Sequence, residues 1–249
     1  MILIKLGGSI ITEKKKPLTS RKKAILKIGH VLSKIKEPII IVHGGGSFGH
    51  YWSIKYDMHT EAARYNPKGV TIIKNSMVTL NKIVLDGLLG GGLTSYCAPP
   101  FGITRAGKLL PQGAREIAEI AKYGLVPVTY GDAMWYSKGK SFILSGDRIM
   151  TMLALALKPR MCIFATNVDG LYENPNGGKL IYNAADGKAT ILSVGTDVTG
   201  GMLRKVKEAK KISCAGTDVY FVNGNKPERI IAAIRGKKFP CTKFGGKKR

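Results

Sequence analysis

Six short stretches of this chain, residues 2–6, 39–42, 93–98, 126–130, 161–165 and 219–222, are apolar almost without interruption. Strands with one wetted face alternate apolar and polar residues, so unbroken runs of this length point to strands covered on both faces. Between them lie segments with helical spacing, at 20–35, 74–89, 114–123, 148–157, 201–214 and 227–234. Such alternation predicts an α/β chain, a three-layer α/β/α sandwich with a mostly parallel central sheet. In sheets of this type ligands gather beyond the carboxyl ends of the strands. No linker or low-complexity segment divides the 249 residues, so a single domain over 1–249 is expected, with 245–249 as a frayed basic tail.

Glycine clusters fall at several of those strand ends. Directly behind the second run stands His43-Gly44-Gly45-Gly46-Ser47-Phe48-Gly49-His50. Three glycines in succession let backbone N–H groups approach a phosphate without obstruction by Cβ, and an anion sits well at the start of a following helix. Lys5-Leu6-Gly7-Gly8-Ser9 closes the first run, and Ser145-Gly146-Asp147, Thr166-Asn167-Val168-Asp169-Gly170-Leu171-Tyr172 and Thr199-Gly200-Gly201-Met202 follow in order. Several glycine turns at strand ends suit one site built for several phosphates. Two other motif matches fall away. Gly44 to Gly49 satisfies GxGxxG, but no second strand with an acidic ribose partner follows about 20 residues later. Gly102 to Leu109 resembles a P-loop, yet Leu109 stands where Ser or Thr would hold magnesium.

Charge adds a second constraint. Forty Lys and Arg against 16 Asp and Glu give a formal charge of +24, a field that attracts polyanions. The basic residues are scattered, with runs at Lys14-Lys15-Lys16 and Arg21-Lys22-Lys23, and no nucleic-acid-binding signature accompanies them. A basic nucleic-acid-binding protein on this frame is the alternative of another class; specific nucleic-acid binding is not expected. Cys97, Cys162, Cys214 and Cys241 lack CxxC spacing and form no ligand pattern with the four histidines, which argues against structural zinc or a disulfide framework. The amino terminus runs straight into the first strand without a cationic leader, and no apolar run approaches about 18 residues. A cytoplasmic protein with no membrane association is expected.

Taken together, KLGGS, HGGGSFGH, SGD, TNVDGLY and TGGM followed by Lys205 resemble the amino acid kinase family, over nearly the whole chain. The resemblance implies transfer of the γ-phosphoryl of ATP to a small acceptor, with Mg²⁺, in a homodimer. It also implies an acceptor lobe mainly in 1–150 and an ATP-binding lobe mainly in 151–244. Within the family, Ser47-Phe48-Gly49-His50 and Thr12-Glu13-Lys14 resemble the isopentenyl phosphate kinase branch, with fosfomycin kinase sharing the histidine. The acceptor would then be isopentenyl phosphate, or another small phosphate or phosphonate. Gly90-Gly91-Gly92 departs from the pattern, since a polar turn is usual there, and is expected to affect local flexibility only.

The residues themselves fit that chemistry. A phosphate monoester is ionised near neutral pH, its second pKa lying at about 6, so its attacking oxygen needs no general base. The difficulty is electrostatic, and transfer depends on positioning and charge neutralisation. Lys5, a charge among apolar strand residues, is costly unless it faces a ligand. The expected catalytic set is Lys5, Lys14, Lys205 and Asp147, the last holding Lys5 and Lys14 in place. Lys14 competes with another explanation, because Lys15 and Lys16 adjoin it and a solvated charge run looks the same. ATP is expected on Lys5, Gly7, Gly8, Ser9, Gly46, Asp169, Tyr172, Gly200, Gly201 and Lys205. The acceptor is expected on Gly45, Gly46, Ser145, Gly146 and His50, whose imidazole can donate to a phosphate or simply begin a helix; His43 is read as structural. Val70, Ile73, Met77, Leu80 and Val84 form an apolar stripe that is either core or, with Ile143, the wall of an isoprenoid pocket. Carboxylates are scarce in these loops, so Mg²⁺ is expected on the nucleotide phosphates with no protein metal ligand.

Overall fold

The computed structural model describes residues 1–58, 66–137, 140–173, 178–184 and 201–246. Seven strands form the central sheet, in the order Thr242–Phe244, Asp218–Asn223, Met161–Thr166, Ile2–Leu6, Ile39–His43, Val126–Tyr130, Ser95–Cys97. All neighbours pair in parallel except Thr242–Phe244, which runs antiparallel along one edge. Ile2–Leu6 lies at the centre, its five residues buried. Side chains alternate across a strand, so Ile2, Ile4 and Leu6 enter the core on one face while Leu3 enters the core on the other, and Lys5 shares the side of Leu3.

Helices Lys22–Leu32, Pro67–Gly90 and Glu228–Ile234 cover the first face, and Pro111–Lys122, Gly146–Leu157 and Gly201–Cys214 the second. The expected three-layer α/β/α sandwich is therefore the observed architecture. Pro67–Gly90 begins seven residues before the helical segment expected at 74–89. Asn66 accepts a hydrogen bond from the Gly69 N–H at 3.0 Å and Pro67 fills the first helical turn, a start signal that the sequence does carry.

Other details add to the sequence reading. Gly91 packs against the backbone of Leu26 and His30, so its lack of a side chain serves the close approach of helices Lys22–Leu32 and Pro67–Gly90, a packing role that the run 90–92 does not reveal in sequence. Within the tail expected at 245–249, the Gly246 N–H donates to Asp218 at 2.7 Å, and Lys243 just before it pairs with the same carboxylate at 2.7 Å. Residues 247–249 lie outside the described residues. Finally, a hairpin of Asp132–Ser137 and Lys140–Leu144, which the run analysis does not predict, leaves the sheet after Val126–Tyr130 and returns to Ser145. Thr104–Arg105 and Lys108–Leu109 also pair as a short hairpin, a different geometry from the phosphate loop that the Gly102 to Leu109 match resembled.

Candidate active site

The glycine turns converge beyond the carboxyl ends of the strands. Gly7 and Gly8 leave the central strand, and the short helix Gly8–Ile11 starts at once. The next strand empties through Gly44 and Gly45 into helix Gly46–Lys55. Gly46 has φ +48°, and a Cβ there would collide with the Thr12 hydroxyl; one on Gly8 would collide with the backbone of Gly46. Only glycine lets these two loops touch. Thr12, 1% exposed, locks them together: its hydroxyl donates to the Gly8 carbonyl at 2.8 Å and accepts from the Ser47 N–H at 3.0 Å. Thr12 has no role assigned from sequence, although it stands in the motif that led to Lys14.

Around these loops opens a cleft of about 2170 Å³. A pocket for one small molecule usually measures 300–1,000 Å³, so this cleft has room for two substrates together. Lys5, Lys14, Gly7, Gly8, Ser9, Gly45, Gly46, His50, Ser145, Gly146, Asp147, Gly201, Lys205 and Tyr172 all line it, so most of the expected residues share one cavity. Ile73, Met77 and Ile143 line it as well, whereas Val70 packs against the core and Leu80 and Val84 are buried within it. Ile73 and Met77, 2% and 1% exposed, belong to the buried core and also border the cleft, so the stripe is core that meets the cleft at these two positions. Lys14 and Lys15 reach the cleft and Lys16 does not. Gly200 lies outside the described residues.

Asp169 is the exception. It is not part of the cleft wall; its Oδ1 accepts from Asn223 at 2.7 Å and pairs with Arg229 at 2.6 Å. Burial pushes its carboxyl up, but those bonds outweigh burial and hold it below the ordinary 3.8. The surrounding segment still contributes Asn167, Val168, Gly170 and Tyr172 to the wall.

The electrostatic centre is Asp147. Ser145 caps helix Gly146–Leu157, its hydroxyl accepting from the Arg148 N–H at 3.2 Å, which sets Asp147 in the first turn. Only 2% exposed, Asp147 meets Lys5 Nζ at 2.7 Å and Arg204 Nε at 3.5 Å. Burial raises its pKa, but Lys5, Lys205 and Arg204 together reverse that and keep it lowered. A charged Asp147 in turn fixes the Lys5 ammonium at the end of its strand. Lys205 Nζ lies 3.1 Å from the Gly201 carbonyl, within the first turns of helix Gly201–Cys214. Arg148, Arg204 and Lys140 also line the cleft and were not singled out by motif.

His43 is structural. Fully buried, it contacts the Gly44 carbonyl at 3.1 Å and Asn81 at 3.2 Å and stacks on Tyr130 at 5.3 Å. Burial drives its pKa down to about 4, which keeps the ring neutral at physiological pH. His50, one turn into the next helix, is exposed and lines the cleft. Asp132, 3% exposed, lines the apolar end near Ile73 and Met77, where Lys74 holds it at 2.6 Å and also reaches the Ala133 carbonyl at 3.2 Å. Among the described residues no group of three or more His, Cys, Asp or Glu is placed to hold a metal ion, and no helix is long and apolar enough to cross a membrane.

Comparison with known proteins agrees with this arrangement. The family model "Amino acid kinase family" matches residues 1–223. Isopentenyl phosphate kinase of Thermoplasma acidophilum is 34% identical, over 92% of this chain and 94% of that one. Isopentenyl phosphate kinase of Methanothermobacter thermautotrophicus is 31% identical, over 99% of this chain and 100% of the relative. The crystal structure of the T. acidophilum isopentenyl phosphate kinase product complex superposes with a TM-score of 0.82 at 31% identity, covering 98% of this chain and 99% of that one. Sequence, fold and the clustering of the glycine loops in one cleft therefore agree that this chain belongs to the amino acid kinase family.

Proposed function

We infer that this chain transfers the γ-phosphoryl of ATP to isopentenyl phosphate, giving isopentenyl diphosphate and ADP. The observation that carries the reading is the polarity of one continuous cleft. Cations from Lys5, Lys14, Lys205 and Arg204 border one part of it, and Ile73, Met77 and Ile143 border another. A small phosphate ester with a short apolar tail matches that gradient, whereas an amino-acid carboxylate makes no use of the apolar end. Relatives named as isopentenyl phosphate kinases, similar along nearly their whole length, support the same acceptor.

In this reading the acceptor phosphate rests on Gly45, Gly46, Ser145 and Gly146, with His50 donating to it. The attacking oxygen is already ionised, so no base is required. Lys5, fixed by Asp147, lies between the two phosphate groups and offsets their repulsion as they come into line, while Lys14 and Lys205 face the charge that develops on the transferring group and on ADP. The nucleotide occupies the half lined by Asn167, Gly170, Tyr172 and Gly201, with 1–150 serving mainly the acceptor and 151–244 mainly ATP. Mg²⁺ enters as part of the nucleotide substrate; Asp147 and Asp132, two of the cleft carboxylates, are already engaged by cations, which favours binding through the phosphates. The family resemblance also supports a cytoplasmic homodimer, which light scattering tests as a mass twice 26.9 kDa.

The deciding experiment follows ADP release with isopentenyl phosphate, fosfomycin, UMP, carbamate and acetylglutamate as separate acceptors. Isopentenyl phosphate is expected to give the highest kcat/KM; preference for another acceptor overturns the reading.

A further inference from the structure

Arg21 differs from the lysines around it. It closes the loop that carries Lys14, and its backbone N–H donates to the Ile11 carbonyl at 2.8 Å. Its Nη1 lies 3.2 and 3.3 Å from the Ser9 and Ile10 carbonyls and 2.8 Å from Asn225 Oδ1, and its Nε stands 3.5 Å from the Glu13 carboxylate. One guanidinium thus holds the end of helix Gly8–Ile11, the residue before Lys14, and a loop more than 200 residues away. The contacts continue beyond it. The Asn225 N–H donates to Asn223 Oδ1 at 3.0 Å, and Asn223 Nδ2 donates to Asp169 Oδ1 at 2.7 Å, which Arg229 meets at 2.6 Å. Glu13, Arg21, Asn225, Asn223, Asp169 and Arg229 form one unbroken polar chain along the carboxyl edge of the sheet. At one end it reaches the loop of Lys14, at the other the loop of Asn167 to Tyr172, and both loops wall the cleft.

We propose that this chain of contacts is a strut, with Arg21 as the positioning residue, that fixes the Lys14 loop relative to the nucleotide loop for phosphoryl transfer. A planar guanidinium engaging several acceptors sets direction as well as distance, which a lysine at that position does not do. The strut also gives Asp169 a role away from the cleft wall. In-line transfer is sensitive to placement, and a displacement of about 1 Å costs roughly a hundredfold in rate. The proposal rests on reading the cleft as a kinase site.

Steady-state kinetics of Arg21→Met and Asn225→Ala, each alone and combined with Lys14→Ala, test it. Asn225→Ala removes the link to the far loop while leaving Arg21 on the Ser9 and Ile10 carbonyls, so it remains informative where Arg21→Met fails to fold. Each single variant is expected to lose about tenfold in kcat with KM for ATP nearly unchanged, and to cost less than about twofold once Lys14 is alanine, since residues acting through one another are not additive. Losses of equal size on both backgrounds, a wild-type kcat in Asn225→Ala, or a Lys14→Ala variant as active as wild type each overturn the proposal. Hydrogen exchange supplies a readout independent of the acceptor. Asn225→Ala is expected to speed exchange at amides of 13–20 and of 167–172 together, and unchanged protection in both segments rejects the strut. Should the wild-type protein ignore isopentenyl phosphate, the acceptor reading fails while the exchange result still decides the strut.

Discussion

Two aspartates that line the cleft, each paired with a lysine, behave in opposite ways. Lys5–Asp147 and Lys74–Asp132 are of similar length, 2.7 and 2.6 Å, and both carboxylates are almost fully buried. Burial pushes each carboxyl up, yet Asp147 ends below the ordinary 3.8 and Asp132 above it. The difference lies in the number of cations. Asp147 feels Lys5, Lys205 and Arg204 together, whereas Asp132 has Lys74 alone, and Lys74 is partly exposed. One lysine does not offset the desolvation of the Asp132 carboxylate, whereas three cations do so at Asp147. Positive charge is therefore concentrated around Asp147 and sparse around Asp132.

The severest test of that contrast removes the central cation. Lys5→Ala is expected to lower kcat by about a hundredfold or more, the size of effect seen when one transition-state donor is lost, and Lys205→Ala to follow it. Lys16→Ala, outside the cleft, is expected to leave kcat unchanged in the same assay. A loss below tenfold at Lys5 would place the electrostatic centre elsewhere.

His50 separates acceptor from nucleotide. His50→Ala is expected to cripple turnover of isopentenyl phosphate while the affinity for ATP, measured by calorimetry, stays nearly constant. His50→Gln keeps a donor and is expected to retain part of the rate. Wild-type turnover in His50→Ala would remove the histidine from acceptor recognition.

At the apolar end the expected change is in preference. Met77→Ala and Ile73→Ala enlarge the wall and are expected to raise kcat/KM for longer isoprenoid monophosphates relative to isopentenyl phosphate. If these residues act only as core, the acceptor ratio stays constant and the loss appears in stability, at about 2–5 kcal/mol.

The smallest effect concerns pH. Folded Asp132 binds its proton more tightly than the unfolded chain does, so its contribution to stability falls as pH rises from 3.8 through the raised folded value. Asp147 has the reverse sign, its contribution being present above 3.8 and lost as pH falls toward the lowered value. Thermal melts across the acidic range should show Asp132→Asn gaining on wild type as pH rises through that window. A difference that is flat with pH would mean that Asp132 titrates normally and that the two ends are alike.

Much of this architecture is legible along the chain. The unbroken apolar runs locate the strands because a doubly covered strand has no position where water tolerates a polar alternation, and 2–6 and 126–130 coincide with the observed strands. The hairpin of Asp132–Ser137 and Lys140–Leu144 is harder to read, since it contacts the cleft at one end and has exposed residues such as Trp135, and so carries no clean period. Lys74 and Arg204 look like any surface cation in sequence, because what distinguishes them is a partner 58 or 57 residues away. Asp169 shows the converse, a motif position whose carboxylate is engaged by Asn223 and Arg229, partners that the motif does not reveal.

Local chemistry accounts for the division. Hydrophobic period, glycine at loop junctions and a lone lysine among apolar residues are properties of a few consecutive residues, and by themselves they determined the α/β/α frame, the glycine loops that meet in the cleft and the place of Lys5 at its wall. Which cations surround which carboxylate depends on strand order and on how helices pack across the sheet, quantities that join residues far apart in the chain. Only the folded structure could decide that Asp147 sits among three cations, that Asp132 has one, and that Arg21 reaches Asn225 across the edge of the sheet.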